Sequence, residues 1–270
     1  MKEKIILMDG ATGTRLWAMA AETGAEKQPV WRYNLTHPEL VERAAKEYAA
    51  AGSTLLCTNT FAANGPELAR HADVKLEDVI RAGVRIARKA VAGTEAKIAL
   101  DMGPLSQMLA PMGTLTPEQV TAVYAELLGC GLDEGVDYVF FETFMSLDML
   151  CAAMEAAKDC SVPVLCSMSF QANGRTMMGD TPAEIARRLE AMGAAAVGLN
   201  CSFGPEAALP VIREYAAATA LPLILKPNVD DSCTPERFAE LMMQALPLLR
   251  YAGACCGSSP AHITALAERV

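Results

Sequence analysis

Basic charge is scarce in this chain. Its 270 residues carry 23 Lys and Arg against 32 Asp and Glu, a formal net charge of −9 with a pI near 5.0. Nucleic acids and anionic membranes are gripped through basic faces, so neither is expected as a partner. Charged residues of both signs reach only 20%, while hydrophobic residues make up 52%. That balance excludes an intrinsically disordered chain and supplies enough apolar side chain for one continuous core. No apolar run approaches the roughly 20 residues that cross a bilayer. The opening MKEKIILMDG has too short an apolar run for a signal peptide and no small-residue cleavage pattern. A soluble, cytoplasmic protein is expected. No linker, charge block or low-complexity stretch interrupts the sequence, so residues 1–270 read as a single domain, a size that α/β barrels commonly approach.

Cysteine, by contrast, is plentiful. There are nine, an odd number, and Cys57, Cys151 and Cys166 lie inside apolar runs where a small hydrophobe would serve. Free thiols in such places suit a reducing compartment.

A rhythm runs along the chain. Short β-rich runs at 4–10, 54–61, 97–103, 138–144, 163–170, 195–201, 222–228 and 251–257 are separated by longer segments rich in Ala, Glu, Leu and Arg. Thr116-Pro117 and Thr181-Pro182 place a capping hydroxyl before a proline suited to the first helical position. Gly52, Gly131 and Gly193 fall where helices are expected to end. Continuous apolar strands alternating with helices predict a parallel sheet covered on both faces. Eight units predict an α/β fold of the single (β/α)8 TIM barrel type. An open doubly wound sheet would want a GxGxxG turn after the first strand, and DGATGTRL is not one.

Active sites of parallel barrels gather at the C-terminal ends of the strands. Read in order, those ends carry Asp9, Asn59, Asp101, Glu142, Ser169, Asn200 with Cys201, Asn228, and Cys255 with Cys256. A single cysteine closing a buried strand often does no more than pack, so Cys201 alone decides nothing. A vicinal pair between Gly253 and Gly257 is harder to explain by packing, and a vicinal disulfide is strained. Three thiolates from the sixth and eighth strand ends would form a soft site suited to Zn²⁺ with the fourth position open, the arrangement of catalytic zinc. Structural zinc usually closes with four ligands and CxxC knuckles, and the chain has no CxxC.

Taken in order, DGATGT (9–14), TNTFAAN (58–64), DMGPLSQML (101–109), FETF (141–144), GLNCSFGP (198–205), KPN (226–228) and ACCGSSPAHI (254–263) resemble the signature blocks of the zinc-dependent homocysteine S-methyltransferase domain. The opening block and the GP after the third strand look closest to the N-terminal homocysteine-binding domain of cobalamin-dependent methionine synthase. The resemblance implies one Zn²⁺ per chain held by Cys201, Cys255 and Cys256, with these cysteines at the centre of catalysis. It implies that Glu142 receives the amino group of homocysteine and that backbone amides at Asp9 and Gly10 receive its carboxylate. A free thiol is mostly protonated at neutral pH, and metal coordination removes that proton. Asn228, between the cysteine-bearing strands, is a candidate for the open metal position when substrate is away. Asn59 and Asn200 are candidates to line the pocket or to satisfy strand-end backbone.

Two departures from the family pattern bear on pocket shape: Ala254 stands before the cysteine pair in place of a second glycine, and Val229-Asp230 follows PN in place of Ala-Gly. The chain ends soon after the CCG block with no folate or cobalamin module, and aromatics are only 6% of residues, too few for an aromatic cage around an onium donor. Trp17 and Trp31 could shelter a methyl cation but suit a cover over the barrel better. The expected donor is methylcobalamin supplied by a separate corrinoid protein, with a sulfonium such as S-methylmethionine, or betaine, as the alternative. Other readings stay open at this point: a different thiol acceptor, or a zinc- or corrinoid-binding partner subunit without turnover. An aldolase-like barrel would need a Schiff-base lysine, for which Lys226 is the only candidate and has no supporting feature.

Overall fold

The computed structural model describes residues 4–270. Eight strands, β1 (Ile6–Leu7), β2 (Leu55–Cys57), β3 (Lys97–Met102), β4 (Tyr138–Phe144), β5 (Val164–Met168), β6 (Ala196–Asn200), β7 (Leu223–Lys226) and β8 (Tyr251–Ala252), alternate with helices. Every ladder is parallel, and the sheet order β1-β8-β7-β6-β5-β4-β3-β2 brings the first strand beside the last. The remaining seam closes through a parallel bridge between Met8 and Leu55, and Thr54 N donates to Leu7 O at 2.7 Å. This is the (β/α)8 barrel that the rhythm predicts. No helix among the described residues is long and apolar enough to cross a membrane.

The strands are shorter than the apolar runs suggest, β1 and β8 most of all. Beyond Leu7 and Ala252 the backbone leaves the ladder to build the barrel mouth, where Ala254 N donates to Asp9 O at 3.1 Å. What the strands lose in length they keep in alternation. Leu55, Ala99, Phe140, Leu165, Ala196 and Ile224 point inward and fill the barrel with Met8 and Tyr251. Their neighbours, among them Leu56, Ile98, Leu100, Val139 and Leu225, point outward beneath the helices. Because side chains repeat every two residues in a strand, the next inward positions are Cys57, Asp101, Glu142, Ser167 and Lys226, and β6 reaches Asn200 by way of Gly198. All six are buried. The barrel is therefore a hydrocarbon plug capped on one side by polar groups.

The helices begin as their sequences predict. Thr116 and Thr181 each form a capping box, with Gln119 and Glu184. Gly52 (φ 106°) and Gly193 (φ 84°) adopt the left-handed conformation just beyond helix ends. Gly131 does not. It lies inside the helix Pro117–Asp133, and the left-handed turn comes at Gly135 (φ 78°). A Cβ on Gly131 would meet Leu100 at 2.3 Å, so glycine here permits close helix–strand packing rather than a stop.

Candidate active site

Cys201 follows the last residue of β6 and takes φ +47°, a left-handed conformation uncommon outside glycine. Neighbouring strand ends hold it there: its N–H donates to Lys226 O at 3.2 Å, and its carbonyl accepts from Ser169 Oγ at 3.1 Å. The Cys255-Cys256 pair is fixed by the exit of β7. Cys255 N donates to Pro227 O, and Val229 N to Cys256 O, each at 2.8 Å. Gly257 (φ 82°) passes so close to Val229 that a Cβ would lie 1.8 Å from its carbonyl oxygen. Glycine is required there.

These anchors bring three sulfurs together. The Sγ atoms of Cys201, Cys255 and Cys256 all lie within 4.8 Å of one another, with Cys201 and Cys256 at 3.4 Å. Tetrahedral zinc with Zn–S bonds of about 2.3 Å sets its sulfurs about 3.8 Å apart. The Cys201–Cys256 spacing is a few tenths of an ångström short of that value and the trio as a whole is close enough to share one ion, while the donor set is soft, as zinc prefers. The three thiols share hydrogen bonds unequally. Cys256, receiving bonds from Cys201 and Cys255, is pulled down to about 3. Cys255 is pushed well above the usual thiol range by its bonds to Cys201 and Cys256. Cys201, drawn down by its bond with Cys255, is raised to about 11 by its bond to Cys256 and by burial. A divalent ion bound by the trio would favour three thiolates.

Beside the sulfurs lies the polar cap. Lys226, 3% exposed, donates to Asp9 Oδ1 at 2.8 Å and sits 3.7 Å from Glu142 Oε2. Burial alone would lower its pKa; Asp9, then Cys57 and Glu142, outweigh burial and keep it well above the usual lysine range. The other Asp9 oxygen accepts from Cys57 N at 2.7 Å. Glu142 is raised, chiefly by burial and secondarily by Asp9, against the opposing pull of Lys226.

Asn200 ties the two halves of the site. It is fully buried, and its Oδ1 accepts from Thr143 N at 2.8 Å and Ser167 Oγ at 2.6 Å. Its Nδ2 donates to Thr143 Oγ1 at 2.7 Å and Glu142 Oε2 at 3.1 Å. Thr143 has φ +64°, where the β4–β5 register shifts, so Asn200 braces the bulge that presents Glu142.

A cavity of about 510 Å³ opens at this end of the barrel. Asp9, Gly10, Asn59, Glu142, Cys201, Cys255 and Cys256 all line it, so seven of the eight site residues expected from sequence meet in one place. Asn228 is not among the lining residues. Its N–H donates to Phe203 O at 3.0 Å, and its side-chain Oδ1 is buried without a hydrogen-bond partner. The amide of Asn59 donates to Val30 O and Asn34 Oδ1, each at 2.8 Å, tying β2 to the segment 30–36. The sequence reading gave no role to Ser167, offered Lys226 only as an unsupported Schiff-base candidate, and left Asn200 between lining the pocket and satisfying strand-end backbone. Ser169, read as a strand end, is one register step past the inward Ser167. Counting in twos from the apolar interior residues would have found all three. Helix α1 (Thr12–Thr23) points its N-terminal end at the cavity, with no side-chain cap and no acidic residue in its first turn. Free amides at a helix start attract anions.

The model of the homocysteine S-methyltransferase family matches residues 6–270. The chain belongs to this family. Rat betaine–homocysteine S-methyltransferase 1 is 28% identical over 270 residues, covering 87% of this chain and 65% of that protein. The chain thus spans about two thirds of that relative's length. Methionine synthase of Mycobacterium tuberculosis is 25% identical over 302 residues, covering all of this chain and 25% of that much longer protein. Among solved structures, the metallated homocysteine methyltransferase MmuM from Escherichia coli superposes with a TM-score of 0.84 over 100% of this chain and 97% of its own. At 23% identity that likeness speaks for the fold.

On this homocysteine S-methyltransferase barrel part of the cavity wall is aromatic. Trp17, Trp31 and Phe61 line it; Trp31 is buried, while Trp17 and Phe61 are 37% and 38% exposed. Trp17 is held by its indole N–H on Gln28 O at 3.0 Å. The two tryptophans do cover the barrel, as their place in the first connection suggests, and they reach the site as well.

Proposed function

We propose that the chain is a zinc-dependent thiol S-methyltransferase that takes homocysteine to methionine, with residues 1–270 acting as one homocysteine-binding barrel. The observation that carries this reading is the meeting of three cysteine sulfurs, a buried carboxylate and an uncapped helix start in one cavity. Cys201, Cys255 and Cys256 would hold the zinc. Bound there, zinc supplies a Lewis acid that deprotonates an incoming thiol at neutral pH and leaves it nucleophilic. The chain's own groups do the rest. Glu142 accepts the substrate's ammonium, and the amides of the Asp9–Gly10 turn and the start of α1 receive its carboxylate. Asn200 and Lys226 both hold Glu142 at Oε2. Asn228 does not line the cavity, and its unpartnered side-chain carbonyl would have to swing into it to take the open metal position when substrate is absent.

For the donor we infer methylcobalamin on a separate corrinoid protein, supported by the likeness to methionine synthase along the whole chain. A second reading has its own support: Trp17, Trp31 and Phe61 bring aromatic side chains to the cavity lining, against which a sulfonium or quaternary ammonium methyl donor, S-methylmethionine or betaine, could rest, and Trp17 already takes a cation, Lys27 Nζ, 4.6 Å from its ring centroid. The test is to incubate zinc-loaded protein with homocysteine and, separately, free methylcobalamin, S-methylmethionine and betaine, and to measure methionine. Methionine from methylcobalamin alone supports the corrinoid donor, and turnover with an onium donor alone replaces it with the second reading. No methionine from any donor overturns the assignment.

A further inference from the structure

Three buried carboxyl groups, Asp9, Asp101 and Glu142, line the cavity with one buried ammonium, Lys226, and they are not equally served. Asp9 is fully engaged: one oxygen takes Lys226 Nζ at 2.8 Å and the other takes Cys57 N at 2.7 Å. Glu142 is partly engaged, sharing Oε2 between Asn200 at 3.1 Å and Lys226 at 3.7 Å. Asp101 is different. Its backbone is pinned at the end of β3, N–H to Thr58 Oγ1 at 3.0 Å and carbonyl from Thr60 Oγ1 at 2.7 Å. Its side chain lines the cavity at 6% exposure with Oδ1 buried and lacking any hydrogen-bond partner. Burial, then the nearby Glu142, holds the Asp101 carboxyl well above the usual range.

A buried carboxylate oxygen without a donor is costly, and in a binding cavity the natural remedy is a donor brought by the ligand. An alkylammonium brings three N–H donors, more than Glu142 alone can use given its existing partners. We propose that Asp101 is a specificity residue that joins Glu142 in a two-carboxylate receptor for the substrate's α-ammonium, so that the cavity takes aminothiols and refuses thiols lacking the amine. This rests on the reading that a thiol substrate occupies the cavity. Lys226 sets the selectivity further, because its ammonium is committed to Asp9, so the Asp101 and Glu142 carboxyls, both held above their ordinary range, ionise when an incoming cation meets them.

The test is calorimetric titration of the zinc-loaded protein with homocysteine and with 4-mercaptobutanoate, its des-amino counterpart. Wild-type protein is expected to favour homocysteine strongly. Asp101→Asn keeps the shape, removes the charge and should weaken homocysteine binding by about ten- to a hundredfold, the worth of a charged hydrogen bond. Binding of 4-mercaptobutanoate should stay within about twofold, which also shows that the variant is folded and its thiol site intact. Asp101→Ala, which adds no new polar atom, should give the same collapse of selectivity. Unchanged homocysteine affinity in both variants overturns the role of Asp101 and leaves the thiol site standing. Equal affinity of wild-type protein for the two thiols overturns the ammonium receptor. Wild-type protein that binds neither thiol removes the thiol-site reading and this inference with it.

Discussion

Replacing Lys226 with methionine keeps an unbranched apolar stem of similar length and deletes one buried charge. The Lys226 and Asp9 side chains are both 3% exposed and the Glu142 side chain 11%, so water cannot take the place of the lost ammonium. Removing one partner of a buried ion pair costs about 3–5 kcal/mol, because the survivor is left desolvated and unpaired. Here two carboxylates are deprived, although Cys57 N still serves Asp9 and Asn200 still serves Glu142. At about 2–4 °C per kcal/mol for a domain of this size, the melting temperature of metal-free Lys226→Met should fall by about 6–20 °C. The deficit should also depend on pH. Glu142 is held above its ordinary range even beside Lys226, and losing that ammonium raises it further, so the stability is retained at low pH and lost as pH rises through the Glu142 titration. The penalty relative to wild type should shrink on going from neutral pH towards about pH 5. Adding Asp9→Asn should cost less than the two single changes summed, by more than about 1 kcal/mol. Calorimetric melting of the four proteins at two pH values, in excess chelator, measures all of this. A loss under about 1 kcal/mol, or a penalty that grows on acidification, would refute the reasoning.

Other consequences follow from the same geometry. Because Cys201 and Cys255 are held protonated while Cys256 is ionised, zinc uptake near pH 8 should release about two protons per ion and tighten as pH rises; titration in buffers of different ionisation enthalpy reads the count. Gly131→Ala, forced against Leu100, should cost about 1–3 kcal/mol by chemical denaturation and leave zinc affinity unchanged. Gly257→Ala should impair zinc retention in a chelator competition, since its Cβ collides with the Val229 backbone that positions the cysteine pair. Asn200→Ala strips acceptors from Thr143 N–H and Ser167 Oγ, at about 1–3 kcal/mol per orphaned group, and should raise the KM for homocysteine by freeing Glu142.

The barrel was legible because its strands are buried on both faces and read as unbroken apolar runs, each followed by a helical segment, with Thr116-Pro117 and Thr181-Pro182 capping two of them. Their lengths were not: β1 and β8 shrink to two residues each because Asp9 and Gly253 onward are spent on the mouth. The cysteine trio was legible from two local blocks whose strand ends a parallel barrel brings together. Lys226 was mentioned only as an unsupported Schiff-base candidate, because its meaning lies in Asp9, 217 residues away, and a lysine in an apolar strand shows no partner in sequence. Asn200 was left between two roles for the same reason, its partners lying on β4, on β5 and at Cys255. Gly131 misled because a glycine late in a helix looks like a stop; only the Leu100 side chain beneath it explains the missing Cβ.

The measurement that bears most directly on the central claim is X-ray absorption at the zinc edge, before and after homocysteine is added. Three sulfurs at about 2.3 Å with one lighter neighbour, becoming four sulfurs with the thiol present, is the predicted result. Fewer than three protein sulfurs around the metal, or a spectrum that the thiol leaves unchanged, would contradict the account.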